Sequence, residues 1–564
     1  MAPQFKNTTS KFHLGTNALS GKPLHLPLEE LIKTHSLVLG RTGMGKSCLL
    51  EIILRAIIQN GFGLVFLDGK GDLFDNLQRF LAAQRLESKT VLVDPTDEKQ
   101  SVGINYLELF GQTSPEALSK LVLEGMMKFF KEDTEYKPWL EEWGPASLLP
   151  LIKGGFTLLE LFHFTSLKDP DFRNALLAKL GDGFYQKKWQ ELHAFRPEKQ
   201  AEILNVVKTR ASEFWISEPL KYIFGQTKTT INWLNLMNKG GTLLANLGRG
   251  PNMTEKTSSF IGTAIVHQLL VNAPLRPKNQ RRPVFLVVDE FQKFVCNDFA
   301  DALDRLRGYG IYLILSCQHL SQLSQENQRL YDSVLANCGN KLIFSISRQD
   351  AEEMALELFT GWIHKDRIKD EIWQTKFRPK ETTREIVSEG YSETYGSSSS
   401  FALGSMVGET IGERGDLIVS SSSSSEMSSE IHGTSEGFSS SQTVSRVPWY
   451  EYEEFQEISS RTYYSLEEIK ERYIAWVSRQ DPRHLQIKLG SKKPLPVVTA
   501  DIYETRVLPS WLRHFRDKVF AKTTLPVLDV KREIEGRVKG FLSAIKDNEK
   551  KLLKYPESFR QPKE

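Results

Sequence analysis

The sequence predicts an α/β protein built on a parallel sheet with helices on both faces. Three observations predict it. Short apolar runs at residues 36–39, 63–67 and 91–93 alternate with helical periodicity, the pattern of strands joined by crossover helices. The first run enters Gly40-Arg41-Thr42-Gly43-Met44-Gly45-Lys46-Ser47, which has the spacing G-x-x-x-x-G-K-[ST]. A later apolar run, 284–288, ends in the acid pair Asp289-Glu290, and strand carboxyl ends are where such sheets bind ligands.

Taken in order, residues 12–15 and 23–26 read as two small strands around a turn at 17–22, a hairpin flanking the first core strand. After the glycine loop, Leu49, Leu50, Ile53, Leu54 and Ile57 recur at helical spacing, with Gly61 as the stop. The strand 63–68 runs into Gly69-Lys70-Gly71-Asp72 and a helix from Leu73, and the strand 91–94 stops at Pro95. Between about 111 and 235 helical periodicity takes over, an all-helical insertion. It contains Trp139, Trp143, Trp189, Trp215 and Trp233, read as core packing ahead of stacking on bases. Strands resume at 242–247, 284–288, 311–317 and 341–346.

The expected domains are a discontinuous nucleotide-binding core (1–110 and 236–385), the helical insertion (111–235), a Ser/Gly-rich linker (386–446) and a C-terminal α+β region (447–564). The serine runs at 397–400, 420–425 and 439–441 cannot build a core. They read as a flexible linker, or as an extended ribbon that pairs on assembly. The helix from Ser465 carries Ile469, Tyr473 and Trp476, and 484–489 reads as a strand. Residues 513–564 hold 14 Lys or Arg against 8 Asp or Glu, so they could touch a nucleic-acid backbone or form a solvated basic face.

Composition narrows the function classes. A chain of 564 residues, 40% hydrophobic and 25% charged, suits a multidomain globular protein. A net charge of +3 carries no whole-molecule field for a polyanion. Cys48, Cys296, Cys317 and Cys338 form no C-x-x-C pair and read as reduced structural thiols. The first eleven residues are polar, and no apolar run approaches the ~18 residues of a membrane helix. A cytoplasmic protein is expected, recruited to an inner membrane only through a partner.

The chemistry follows from residue types. Backbone N–H groups of Gly40 to Cys48 would face phosphate oxygens, helped by the positive end of the helix that follows. Lys46 would reach the β- and γ-phosphates of a nucleotide, and Ser47 and Asp289 would hold Mg²⁺. Glu290 would polarise the attacking water. Gln318, at the end of the next strand, would sense the γ-phosphate or hold that water. Arg307 lacks the acid that Arg305 has four residues back at Asp301, and reads as an arginine finger given to a neighbouring subunit or as a helix-end charge.

The set 35–47, 67–73, 93–95, 244–250, 289–291, 307–310, 316–318 and 337–350 resembles the FtsK/HerA superfamily of DNA-pumping ATPases. Within it the chain looks like the TraG/TraD-type coupling ATPases of type IV secretion and conjugation. The resemblance implies a RecA-like P-loop core, a hexameric ring with ATP between subunits, and DNA through the centre. It favours the finger reading of Arg307. Relatives often have proline where this chain has Gly69, and coupling proteins usually begin with membrane helices. Three functions follow: a DNA translocase of conjugation working with a relaxase or secretion channel, a HerA-like motor working with a nuclease, or a nucleotide-gated scaffold that moves no DNA.

Overall fold

In the computed structural model the described residues are 11–554, apart from 112, 130–137, 249, 251, 295–302, 304, 327, 360–367, 395–401, 415–416 and 430–436. Arg249, Cys296, Asp301 and the serine run 397–400 therefore lie outside the described residues. The chain divides into two compact units, residues 1–363 with 466–564, and residues 364–465.

The first unit is built on β1 (Lys11–Asn17), β2 (Pro23–Pro27), β3 (Ser36–Leu39), β4 (Gly63–Asp68), β5 (Thr90–Val93), β7 (Thr242–Asn246), β8 (Val284–Asp289), β9 (Ile311–Cys317), β10 (Asn340–Ile343), β15 (His484–Leu489) and β16 (Leu495–Thr499). Two short strands outside that sheet, β6 (Gln100–Val102) and β17 (Thr524–Pro526), pair antiparallel. The main sheet has the order β2-β1-β16-β15-β10-β3-β9-β8-β4-β7-β5. From β10 to β5 every pairing is parallel, as the strand–helix alternation predicts. From β10 to β2 every pairing is antiparallel.

Side chains alternate across each strand, so successive apolar residues enter opposite layers. Leu37, Leu39, Leu286 and Val288 face the layer formed by the helices between Pro115 and Lys239 together with Glu255–Asn272. Val38, Phe285 and Val287 face the helices Lys46–Gln59, Asp72–Ala83 and Pro509–Thr523. This two-sided burial is why the strands read as unbroken apolar runs. Trp143, Trp189 and Trp233 are buried in the helical layer, so the packing reading of these tryptophans holds.

Two expectations need correction, and a third gains partners. The hairpin β1–β2 does not flank β3; β16, β15 and β10 stand between them. Residues 484–499 are no separate C-terminal region but two strands of the core sheet, an addition that local periodicity cannot reveal because it is a long-range pairing. The basic tail folds back on the same unit: Arg516 pairs with Asp94 and Asp97 at 3.0 and 3.1 Å, and Arg537 with the buried Glu160 at 2.9 Å.

The second unit differs from the linker that its composition predicts. β11 (Ile368–Thr394) pairs antiparallel with β14 (Gly437–Tyr463), and β12 (Ala402–Arg414) with β13 (Leu417–Ser429). The serine run of β13 pairs across the ladder with Ile411, Thr410 and Val407 of β12, which satisfies the backbone even where serine cannot fill a core. The ribbon alternative is the one the backbone takes, and it forms within one chain.

Candidate active site

The site lies along the carboxyl ends of β3, β9, β8 and β4, which are consecutive in the sheet. β3 ends in the glycine loop. Gly43 and Gly45 adopt φ of +81° and +105°, the left-handed region where a β-carbon is strained. At Gly40 a β-carbon would stand 2.6 Å from the Phe344 side chain, so glycine is required there by space. The helix Lys46–Gln59 starts directly from the loop. It stops as expected at Gly61 (φ +64°), where Gly61 N–H donates to Ile58 and Phe62 N–H to Ile57.

Lys46 is buried, and its Nζ donates to the carbonyl oxygens of Gly40 and Arg41 of its own loop. Burial, and then the nearby Lys70 cation, lower its pKa from the usual lysine value. A buried ammonium satisfied only by its loop's carbonyls is suited to an anion above the loop. The loop therefore fits a nucleotide triphosphate, and Ser47 and Asp289 could supply oxygen donors to Mg²⁺.

β8 and β9 place the acids. Asp289 pairs in register with Ser316, and the Ser316 hydroxyl donates to Asp289 Oδ1 at 2.9 Å. Burial pushes the Asp289 carboxyl above the usual aspartate range, against the pull of Lys70. Glu290 has φ +56°, an uncommon backbone for a non-glycine residue that costs on the order of 1 kcal/mol. That geometry turns its carboxylate back over the sheet edge. Gln318 Nε2 donates to Glu290 Oε1 at 2.6 Å and Gln292 Nε2 to Oε2 at 2.9 Å. Burial opposes ionisation of Glu290, but these amides and Lys70 outweigh it and hold the carboxyl below the usual glutamate range. Thr42 of the glycine loop donates to Gln318 Oε1 at 2.9 Å. One amide thus ties the phosphate loop to the acid pair.

Lys46, Thr42, Asp289, Glu290 and Gln318 are brought together as their spacing implies. Arg307 is not. It is exposed and precedes β9, whereas Gln318 follows it, so seven residues, about 23 Å, separate the two ends. Arg307 stands at the opposite edge of the sheet from its own phosphate loop.

Two groups escaped the sequence reading. Lys70 Nζ lies 3.3 Å from Glu290 and 4.0 Å from Asp289. It is placed by Asp68, whose carboxylate accepts from the N–H groups of Lys70, Gly71 and Phe74 and so folds the turn after β4. At Gly69 a β-carbon would stand 2.9 Å from the Asp289 carbonyl oxygen, so any side chain there would force the turn to shift. The signal for Lys70 was in the matched stretch, but nothing local says that this turn folds toward β8. The second group is Arg483. Its N–H donates to Met44 O at 2.8 Å, and its guanidinium bonds Thr499 and Asp501. Cys48 donates to Ala500 O at 3.4 Å. Residues 483–501 thus brace the glycine loop from more than 400 positions away in the chain, with no sequence signal.

Fold and site together define a P-loop ATPase with a RecA-like core. Two family models match the chain: the central domain of helicase HerA over residues 12–124, and the TraM recognition site of TraD and TraG over residues 283–365. No curated protein matches by sequence. Among solved structures, the bacterial conjugative coupling protein TrwBdeltaN70 in an unbound form aligns with a TM-score of 0.50 at 17% identity. The alignment covers 89% of this chain and 92% of that one. Plasmid coupling protein TrwB in complex with ADP and Mg²⁺ aligns with a TM-score of 0.51 at 16% identity, over 89% and 92% of the two chains. The motif resemblance is matched by these models over residues 12–124 and 283–365, and the chain has the fold of the coupling proteins.

Proposed function

We propose that the chain is a coupling ATPase that uses ATP hydrolysis to move or recruit DNA in conjugative or mobile-element transfer. One observation carries the reading: Gln318 bridges Thr42 of the phosphate loop and Glu290, within a segment that matches the TraD/TraG model. Such a bridge changes when a γ-phosphate comes or goes, and β9 carries that change into the sheet. Lys46 and the loop N–H groups bind the phosphates, and Glu290 orients the water and takes its proton. Ser47 and Asp289 would hold Mg²⁺, which neutralises charge developing on the β- and γ-oxygens. Because Arg307 is at the far edge of the sheet, any phosphate it meets belongs to another copy, as in a hexameric ring. DNA, a relaxase and a secretion-channel protein are the partners of this reading. Recruitment to an inner membrane through such a partner belongs to this reading; among the described residues no helix is long and apolar enough to cross a membrane.

The match over residues 12–124 supports a second reading, a HerA-type motor serving a nuclease. ATP turnover with and without DNA tests both motor readings against a scaffold. Stimulation by DNA supports them, and unchanged turnover removes them. Mixing Arg307→Ala with Lys46→Ala chains should restore part of the activity that each lacks. Absence of any recovery would reject sites shared between copies.

A further inference from the structure

The 364–465 unit is a two-stranded ribbon with nothing laid against either edge among its described residues. β11 and β14 are each 27 residues, about 90 Å of extended chain. After shifts between Ile368 and Asp370 and between Ile372 and Trp373, the register is constant: Thr394 faces Gly437 and Ala402 faces Ser429, with seven residues between the paired stretches on each strand. An isolated two-stranded ribbon is marginally stable in water, and its free edges are rows of unpaired N–H and C=O groups.

The side chains sort by face. From Trp373 onward the alternation puts Trp373, Phe377, Val387, Val444, Tyr450 and Tyr452 on one face, each at least half exposed. Glu381, Glu389, Glu454 and the Glu385–Arg446 ion pair share this face with them. The opposite face carries Trp449 and Phe455 beneath Arg384 and Arg378, and its charged residues differ in sign between the two strands. β11 contributes Lys376, Arg378, Lys380 and Arg384, while β14 contributes Glu451, Glu453 and Glu457. Within the ribbon Lys376 pairs with Glu457 at 2.6 Å and Arg378 with Glu453 at 3.2 Å.

We infer that the ribbon is a self-association surface, on which β11 of one copy adds to β14 of the next. Three observations select a second copy as the occupant. Both edges are open, so each ribbon offers what its neighbour lacks. The basic row of β11 and the acidic row of β14 lie at the same height, because Lys380 faces Glu451. A neighbour's acidic row therefore meets this basic row without a shift in register. Like-with-like pairing, β11 on β11 or β14 on β14, would oppose equal charges and is disfavoured. The pairing is head-to-tail, which closes into a ring or runs on as a filament. The face with Trp373, Phe377, Tyr450 and Tyr452 then lies on the same wall of one continuous sheet in every copy, where neighbouring side chains cover it. A lipid surface would also take an aromatic face, but it leaves both edges unpaired and does not account for the split of charge between strands. The inference goes beyond the reading of the ATPase site and does not depend on it.

The test uses two full-length chains, Lys380→Cys and Glu451→Cys, both substituted at exposed positions. They are treated with a flexible bis-maleimide separately and mixed, against the unsubstituted chain. The expected result is covalent dimers of the two variants in the mixture and few in either alone. No dimers in the mixture, or equal cross-linking of Lys380→Cys to itself, overturns the proposal. So does co-sedimentation with phosphatidylcholine/phosphatidylglycerol vesicles when the mixture does not cross-link. As a second measurement, reversing Lys376, Arg378 and Lys380 to Glu should reduce particle mass in light scattering. Also changing Glu451, Glu453 and Glu457 to Lys should restore it; failure to restore it counts against the charge match. ATP turnover with and without DNA is read on the same samples. DNA stimulation without cross-links rejects the ribbon proposal alone, and cross-links without stimulation reject the DNA reading alone.

Discussion

The sheet edge around Lys46 and the ribbon of β11 and β14 use the same backbone pairing to opposite ends. At the sheet edge every charged group is held by several others from the same chain. Glu290 takes two amides and an ammonium, and Asp68 takes three backbone donors. In the ribbon, charges meet at most across one strand pair, and large aromatics stay exposed. A strained left-handed residue such as Glu290 persists only where surrounding contacts over-determine it. An exposed face has no such constraint, so its sequence is free to serve another molecule.

Substitutions should separate the two regions sharply. The largest effect is expected for Lys46→Ala, which should abolish ATP turnover, at least about 10³-fold by single-turnover assay, because no other buried cation stands over the loop's carbonyls among the described residues. Glu290→Gln should lower turnover about 10²–10³-fold while ATP binding, read by equilibrium dialysis, persists. Normal turnover would remove Glu290 as the water-polarising group. Leu286→Ala, in the centre of β8, should cost about 3 kcal/mol in urea unfolding of the sheet unit.

Lys70→Ala should cut turnover by about tenfold with little change in ATP affinity, since it removes a cation from beside Glu290 but no loop donor. A loss of affinity instead would make Lys70 a phosphate ligand. The smallest effect is expected for Phe377→Ala. It should leave the unfolding midpoint of the sheet unit within about 0.5 kcal/mol of the parent, because the side chain is 58% exposed. A large shift would erase the contrast between the two regions.

The legible part of the site was the part written locally. The glycine loop, the acid pair after an apolar strand and the glutamine at a strand end are each specified within a few residues. All of them converge because parallel strands put every carboxyl end on one edge. The far position of Arg307 relative to its own loop follows from the same rule, for it precedes a strand instead of ending one. Lys70 and Arg483 were not legible as site residues. Their places depend on how the turn after β4 and the return from the ribbon settle against other strands.

By itself the sequence determined which segments form the parallel strands of the core, which loop has phosphate-binding spacing and which acids end a strand beside it. Those choices rest on backbone freedom at glycine and on apolar periodicity, both short-range properties. Tertiary structure alone decided that β15 and β16 extend the core sheet, that Arg516 and Arg537 of the basic tail pair with the core's acids, and that the serine-rich stretch pairs as a ribbon. Pairings between positions far apart in the chain are set by which edges and charges remain unsatisfied once the local elements exist, and no window of neighbouring residues contains that information.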